Sequence, residues 1–246
     1  MTVFRKTSSS SLSLSAGDVH IWRATLDLPA VGIQMLNQML SIDERIRAER
    51  FNFERDRRRF TAARGILRRI LGTYLTVEPS AVRFCYGRNG KPRLADTYGN
   101  GEICFSLSHS QGIALYGFSR GRQVGVDIES IRDFPEMGEI ARQFFSVNEN
   151  EVFNGLPKSK KVYAFFKCWT RKEAFIKAIG DGLSYPLDMF DVSVHPGEPA
   201  ELLRIRGDAR KAARWSIQNV RPGPGLAAAF AVMGRSWRLR CWQWPG

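Results

Sequence analysis

The sequence predicts an α+β protein made of two similar lobes, each with helices packed on an antiparallel meander sheet. Helical spacing of apolar residues is followed by a run of short alternating strands, and this order of elements occurs twice along the 246 residues. The two halves share the order and no evident sequence repeat, which indicates a pseudo-two-fold duplication. The predicted N-terminal lobe spans 19–121 and the C-terminal lobe 122–246, after a disordered lead-in over 1–18.

The N-terminal half begins with an alternating strand over 19–26. A helical region follows over 41–75, where Ser41 and Glu44 have the spacing of a capping box. A break near Asn52 divides this region into two helices. Turn-forming motifs separate the further predicted strands, which cover 81–86, 102–108, 112–118 and 123–129. We expect these strands to form an antiparallel meander on the preceding helix.

The C-terminal half repeats this plan. Helical segments run from about 136 to 179, and Gly182 and Pro186 supply stop signals. The predicted strands cover 187–194, 213–220, 227–233 and 236–244. We expect them to form the second meander.

The charge indicates an anionic partner, because the formal net charge is +13 and the isoelectric point is about 10.1. The four cysteines lack CxxC spacing and the chain has three histidines, so a zinc site is not expected. Free thiols favour the reducing cytoplasm. The sequence shows neither an apolar run of membrane-spanning length nor the continuous apolar segment of a secretory signal, so we expect no membrane partner.

Two carboxylates share one face of the strand in "QVGVDIES". Apolar residues alternate with Asp127 and Glu129, whose α-carbons lie about 6.5–7 Å apart in a strand. Neighbouring carboxylates need a cation or a raised pKa, and Mg²⁺ with its oxygen ligands would satisfy both. A solvated strand face is the alternative, since this pattern is common.

A third carboxylate lies on the apolar side of the helix in "FFKCWTRKEAFIKAIGDGLSYP". At about 100° per residue, Glu173 falls beside Trp169, Lys177 lies at the border of the apolar sector, and Arg171 points to the opposite, polar side. An ion pair between Glu173 and Lys177, which have the spacing of a helix-stabilising pair, is the structural alternative to a functional role.

Together these motifs resemble the 4′-phosphopantetheinyl transferases. "VGVDIE" is followed downstream by "FFKCWTRKEAFIKAIGDGLSYPL", and "NGKPRL" and "FSLSHS" precede both in the family's order. The length and the duplicated plan are similar to the large Sfp-type branch, whose members are monomers. The resemblance extends from about residue 41 to 245.

The resemblance implies an enzyme that transfers 4′-phosphopantetheine from coenzyme A to a serine of an apo acyl or peptidyl carrier protein. Adenosine 3′,5′-bisphosphate is the implied second product. The family's site lies in the cleft between the lobes and uses Mg²⁺, for which Mn²⁺ can substitute. The carrier's pathway stays open among fatty acid, polyketide, non-ribosomal peptide and heterocyst-type glycolipid synthesis.

The resemblance also implies roles for individual residues. Asp127, Glu129 and Glu173 correspond to the metal ligands, Glu173 to the general base, and Lys177 to the group that neutralises the leaving phosphate. Positions that match coenzyme A contacts are Arg47, Arg64, Lys91, Ser106, Ser108, His109 and Lys177. The chain departs from the family near Arg47, because Glu44 stands where some relatives carry a lysine.

Two other classes of protein compete with this interpretation. The net charge and the Arg-rich helix are also typical of nucleic-acid-binding proteins. However, paired carboxylates repel phosphate unless a metal intervenes, and coenzyme A and carrier domains are themselves anionic, so we expect no nucleic acid. A non-catalytic carrier-binding scaffold is the third hypothesis, and the presence of Asp127, Glu173 and Lys177 argues against it.

Overall fold

The computed structural model describes residues 3–6, 12–87, 90–98, 103–180 and 182–245, and its elements confirm the α+β class. The helices are α1 (Ala30–Gln38), α2 (Ile42–Glu49), α3 (Glu54–Leu75), α4 (Met137–Phe144), α5 (Val147–Gly155), α6 (Lys158–Ile179) and α7 (Ala209–Ala212). The strands are β1 (Arg5–Lys6), β2 (Asp18–Thr25), β3 (Phe84–Tyr86), β4 (Pro92–Leu94), β5 (Ile103–Ser110), β6 (Ile113–Arg120), β7 (Val124–Ser130), β8 (Phe190–Val192), β9 (Leu202–Ile205), β10 (Trp215–Val220), β11 (Leu226–Met233) and β12 (Arg238–Gln243).

Two main sheets form the centre of the molecule. One has five strands in the order β1-β12-β2-β6-β5, and the other has three in the order β10-β11-β7. The strand pairs β3–β4 and β8–β9 stand apart as small antiparallel sheets. The predicted helix pair is confirmed, since α2 and α3 are separated by residues 50–53.

Three apolar clusters show that the elements stack as helix, sheet, sheet and helix. Between α3 and the five-stranded sheet, Leu67 packs in one cluster with Phe118. Between the two sheets, Ile21 of β2 packs with Val126 of β7. A third cluster joins α6 to the outer face of the three-stranded sheet. Each sheet is therefore covered on one face by a helix and on the other face by the second sheet.

The strand assignment of the two predicted meanders is wrong at both ends. β12 was expected in the second meander, but it pairs in parallel with β2 of the other sheet, with Trp242 opposite Trp22. β7 was expected to close the first meander, although it lies beyond the predicted lobe boundary at 121, and it pairs with β11 of the C-terminal half. Alternation predicts which side chains share a face, and it does not identify the neighbouring strand.

The described part of the predicted lead-in lies against the five-stranded sheet. Arg5 and Lys6 pair in parallel with the end of β12, and Leu14 is buried in the core. The prediction of disorder therefore does not hold for 3–6 and 12–18, where Leu14 supplies an apolar anchor within a serine-rich stretch. Residues 1, 2 and 7–11 of this segment lie outside the described residues.

Helix α6 positions the site. It has 22 residues and is capped at its C-terminus by Gly180, whose φ of 86° is the left-handed conformation that glycine adopts readily. Arg171 was expected on a polar face, but it is fully buried and donates to the carbonyl oxygen of Ser193 and to Asn219 Oδ1. No helix among the described residues combines the length and the apolar character needed to cross a membrane.

Candidate active site between β5, β7 and α6

A row of serine hydroxyls joins the two main sheets. β5 and β7 are edge strands of different sheets, and alternate residues of β5 point toward β7. Ser106 Oγ accepts from the backbone N–H of Val126 at 3.2 Å, and Ser110 Oγ accepts from that of Ser130 at 3.1 Å. Ser108, between them, contacts the candidate residues Asp127 and Lys177.

Asp127 is the centre of the site. Its side chain is 2% exposed, and its Oδ1 accepts from Ser108 Oγ at 2.8 Å and from Lys177 Nζ at 2.5 Å. Lys177 Nζ also lies 3.0 Å from Ser108 Oγ. Asp127 Oδ2 is buried and has no hydrogen-bond partner among the described residues. A buried carboxylate thus keeps one oxygen open for a further positive group.

Close packing of α6 on β7 brings these residues together. A β-carbon at Gly125 would lie 2.0 Å from the carbonyl oxygen of Ala174, so only glycine allows the helix to approach this strand. Small residues on β11 complete the contact, with Ala229 opposite Asp127 and Ala231 opposite Gly125. The glycine in "VGVDIE" therefore has a structural role beside the carboxylates.

The two other carboxylates lie in the electrostatic field of Asp127. Burial raises the pKa of Glu173 to about 7, and the charges of Asp127 and Glu129 add to this effect while Lys177 opposes it. Burial also raises the pKa of Glu129, with Asp127 as the next cause, although Ser110 Oγ donates to Glu129 Oε2 at 3.3 Å. The negative charges of these acidic groups thus act on one another, and a positive charge nearby would stabilise their ionised forms.

The apolar surroundings of Glu173 form one wall of a cleft of about 740 Å³. The Trp169 ring stacks on Phe165 with centroids 5.9 Å apart and meets the edge of Phe144 at 5.8 Å. His109 on β5 is exposed and also lines this cleft. The position of Glu173 on the apolar sector of its helix is explained, since that sector both packs on the core and lines the cleft.

Comparison with known proteins identifies the family of the chain. A family model described as "4′-phosphopantetheinyl transferase superfamily" matches residues 123–231, and one described as "4′-phosphopantetheinyl transferase, N-terminal" matches 12–116. The 4′-phosphopantetheinyl transferase HetI of Nostoc sp. is 42% identical over 95% of this chain and 95% of its own length. The chain belongs to the 4′-phosphopantetheinyl transferases. Sfp of Bacillus subtilis is 31% identical over 63% of this chain and 67% of its own, and a putative 4′-phosphopantetheinyl transferase of Synechocystis sp. is 32% identical over 81% and 78%.

The donors of the transferase suit Mg²⁺. Among the described residues, no group of three His, Cys, Asp or Glu side chains stands ready to hold a metal. Mg²⁺ seldom needs such a group, because it usually takes one or two carboxylates and completes its shell with water and substrate phosphate. The open Oδ2 of Asp127 and the raised pKa values of Glu129 and Glu173 fit that mode of binding.

Lys91 lies outside the cleft. Its ammonium contacts the carbonyl oxygen of Lys177 and lies 3.4 Å from that of Ala178, at the end of α6. Burial lowers the pKa of Lys91 to about 8. This lysine of the predicted motif therefore touches the helix turn that carries Lys177, and it lines a separate cavity beside Gly180. Asn89 of the same motif lies outside the described residues.

The basic candidates of the first helices line another cavity. Arg64 Nε donates to Glu44 Oε1 at 2.9 Å, and its Nη2 donates to Tyr86 Oη at 2.8 Å. Arg68, which the sequence analysis did not single out, donates to Glu44 Oε2 at 2.6 Å. Arg47 lies over a neighbouring aromatic ring and lines this cavity with Arg64. Glu44, which stands where some members of the family carry a lysine, thus accepts hydrogen bonds from both Arg64 and Arg68.

Two further polar residues were not predicted from the sequence. Ser110 bonds Glu129, and the alternation of serines in "SLSHS" was the available signal. Lys172, in the middle of "TRKEAF", is fully buried and lies 2.5 Å from Glu149. No local pattern connects Lys172 to Glu149, since 23 positions separate them. This buried pair fixes α6 on α5 and has no place in the cleft.

Proposed function

We propose that this transferase moves the 4′-phosphopantetheine arm of coenzyme A to a serine hydroxyl of an apo acyl or peptidyl carrier protein. The bond between the serine oxygen and the arm's phosphorus forms, the pyrophosphate P–O bond breaks, and adenosine 3′,5′-bisphosphate leaves. One observation carries the proposal: the buried Asp127 meets Lys177 at 2.5 Å in a cleft that Glu173 also lines.

Glu173 is the proposed general base. A base works best when its pKa is near the working pH, and burial raises the pKa of Glu173 to about 7. Its carboxylate would accept the proton of the carrier serine, directly or through one water. The rings of Trp169 and Phe144 pack edge to face and line the same cleft as this side chain.

Lys177 is the proposed partner of the leaving phosphate. Its side chain is 30% exposed, so the ammonium can reach a phosphate in the cleft without a change in the helix. Ser108 and His109, at the cleft wall on β5, would contact the nucleotide phosphates. Phosphoryl transfer depends mainly on such positioning and charge neutralisation.

Asp127, Glu129 and Glu173 would hold Mg²⁺, with Mn²⁺ as a substitute, once the side chains of Glu129 and Glu173 turn toward Asp127, since these described residues are not gathered around one point without the ion. When bound, the ion neutralises charge on the pyrophosphate. Asp127 is the anchor of this set, because its position is fixed by burial and by Ser108. Glu129 and Glu173 line the same cleft and are more exposed than Asp127.

The remaining proposals concern the oligomeric state of the enzyme, its location and the charge of its substrates. Both walls of the cleft come from one chain, so a monomer suffices, and we propose the cytoplasm as its location. The net charge of +13 suits two anionic substrates and requires no nucleic acid.

Mass spectrometry of carrier proteins tests the proposal. The enzyme is incubated with coenzyme A, Mg²⁺ and a panel of apo carriers from fatty acid, polyketide, peptide and glycolipid synthesis. We expect at least one carrier to gain the mass of one phosphopantetheine. If the folded enzyme leaves the mass of every carrier unchanged, the proposed transfer to carrier proteins is refuted. If the protein instead binds duplex or single-stranded nucleic acid, the result favours a nucleic-acid-binding protein.

A further inference from the structure

The ammonium of Lys177 already neutralises the carboxylate that is the proposed metal anchor. It lies 2.5 Å from Asp127 Oδ1, 3.0 Å from Ser108 Oγ and 4.0 Å from Glu173 Oε2. An ammonium placed among two acidic groups and a hydroxyl oxygen has the contacts that a small cation would have. Lys177 thus neutralises charge on Asp127, as a divalent ion bound there would.

Two cations at one carboxylate repel each other. A divalent ion bound through Asp127 would lie within a few ångströms of the Lys177 ammonium, where the repulsion is large because Asp127 is shielded from water. The carboxylate cannot move away, since it is buried and bonded to Ser108. The partly exposed side chain of Lys177 can move, whereas its backbone is held by the contact of Lys91 with the Lys177 carbonyl oxygen.

We propose that Lys177 and the divalent ion compete for Asp127, and that the substrate phosphate relieves this competition. The inference rests on the proposed function. A phosphate in the cleft offers the ammonium a second anionic partner, so Lys177 leaves Asp127 as the phosphate binds. Metal and coenzyme A then strengthen each other's binding, and Lys177 couples the two sites.

Mn²⁺ affinity measures this competition directly. Free Mn²⁺ is followed by electron paramagnetic resonance in titrations of the wild type and of Lys177→Met, each without and with saturating coenzyme A. Without coenzyme A, we expect Lys177→Met to bind Mn²⁺ at least about fivefold more tightly than the wild type, even though its transfer rate falls. With coenzyme A, the wild type should gain affinity, and the gain should be smaller in the variant.

Lys167→Met is the matched control. It removes one positive charge from the same helix, but Lys167 packs over the Tyr163 ring at 4.5 Å, away from the cleft. Its Mn²⁺ affinity should equal that of the wild type. Circular dichroism confirms that both variants fold, and Lys177→Gln repeats the test with a polar side chain of similar reach.

The possible failures are distinguishable. If Lys177→Met and Lys177→Gln bind Mn²⁺ no more tightly than the wild type while carriers are still modified, the competition is refuted and the proposed function stands. If the Lys167→Met control tightens Mn²⁺ binding equally, the effect is one of net charge, and the assignment to Lys177 is refuted. Wild type that binds no Mn²⁺ even with coenzyme A contradicts both the metal assignment and this inference.

Discussion

The α-carbon of Gly125 faces the carbonyl oxygen of Ala174, and a β-carbon on this glycine would lie 2.0 Å from that oxygen. The contact lets α6 lie directly on β7, so that Lys177 reaches Asp127. Because the obstacle is backbone, no side-chain rotation can relieve it. The distance between strand and helix is thus set by one missing methyl group.

Gly125→Ala should therefore push α6 away from β7. We expect a loss of about 3 kcal/mol or more of unfolding free energy, together with loss of transfer activity in any protein that folds. Chemical denaturation followed by circular dichroism measures the first effect. In the control Gly138→Ala, on α4, the new β-carbon meets no atom within 4 Å, and we expect a change below about 1 kcal/mol. Equal stability of the two variants would contradict this packing argument.

Replacement of Ser106 should mainly lower stability, whereas replacement of Ser108 should mainly lower activity. Ser106→Ala removes an acceptor for the Val126 N–H, so it should cost about 1 kcal/mol of stability and leave the activity per folded molecule nearly unchanged. Ser108→Ala removes a contact to both Asp127 and Lys177 and should lower kcat. Denaturation and initial rates, measured on both variants, separate the two effects. A reversed pattern would return Ser106 to the coenzyme A contacts that the resemblance implies.

Lys91 should position the C-terminal turn of α6, which carries Lys177. Its ammonium touches the backbone at Lys177 and Ala178, so Lys91→Met should lower kcat while KM for coenzyme A changes little. Lys91→Arg should restore part of kcat, since a guanidinium can reach the same carbonyl oxygens. Steady-state kinetics with varied coenzyme A distinguishes the roles: a raised KM at unchanged kcat would instead support the direct coenzyme A contact implied by the resemblance.

The pH dependence of the reaction should follow the ionisation of the Glu173 carboxyl group. Its pKa of about 7 is raised mainly by burial, so the carboxylate is protonated below that pH and cannot accept a proton. We expect kcat/KM to rise with pH through a limb at or below about 7. More Mg²⁺ should move that limb to lower pH, because a nearby cation favours the charged carboxylate. A kcat/KM that stays constant from about pH 5 to about pH 8, a range that spans the expected limb, would contradict the role of Glu173 as general base.

The local chemistry of the site could be predicted from the sequence, whereas its long-range partners could not. Alternation in "VGVDIE" placed Asp127 and Glu129 on one face, and helical spacing placed Glu173 and Lys177 together. The position of β12 beside β2 depends on packing between residues that are distant along the chain, which no local period encodes. The carboxylate partner of Arg64 was missed for the same reason, since Glu44 lies on another helix.

The most direct test of the account compares carrier modification by the wild type and by Glu173→Gln. Both proteins are incubated with coenzyme A, Mg²⁺ and the same apo carrier, and the carrier mass is followed over time. We predict that the wild type adds one phosphopantetheine, whereas the variant folds, still binds coenzyme A and adds the group at least about a hundredfold more slowly. A variant that modifies the carrier at the wild-type rate would contradict the proposed chemistry of the cleft.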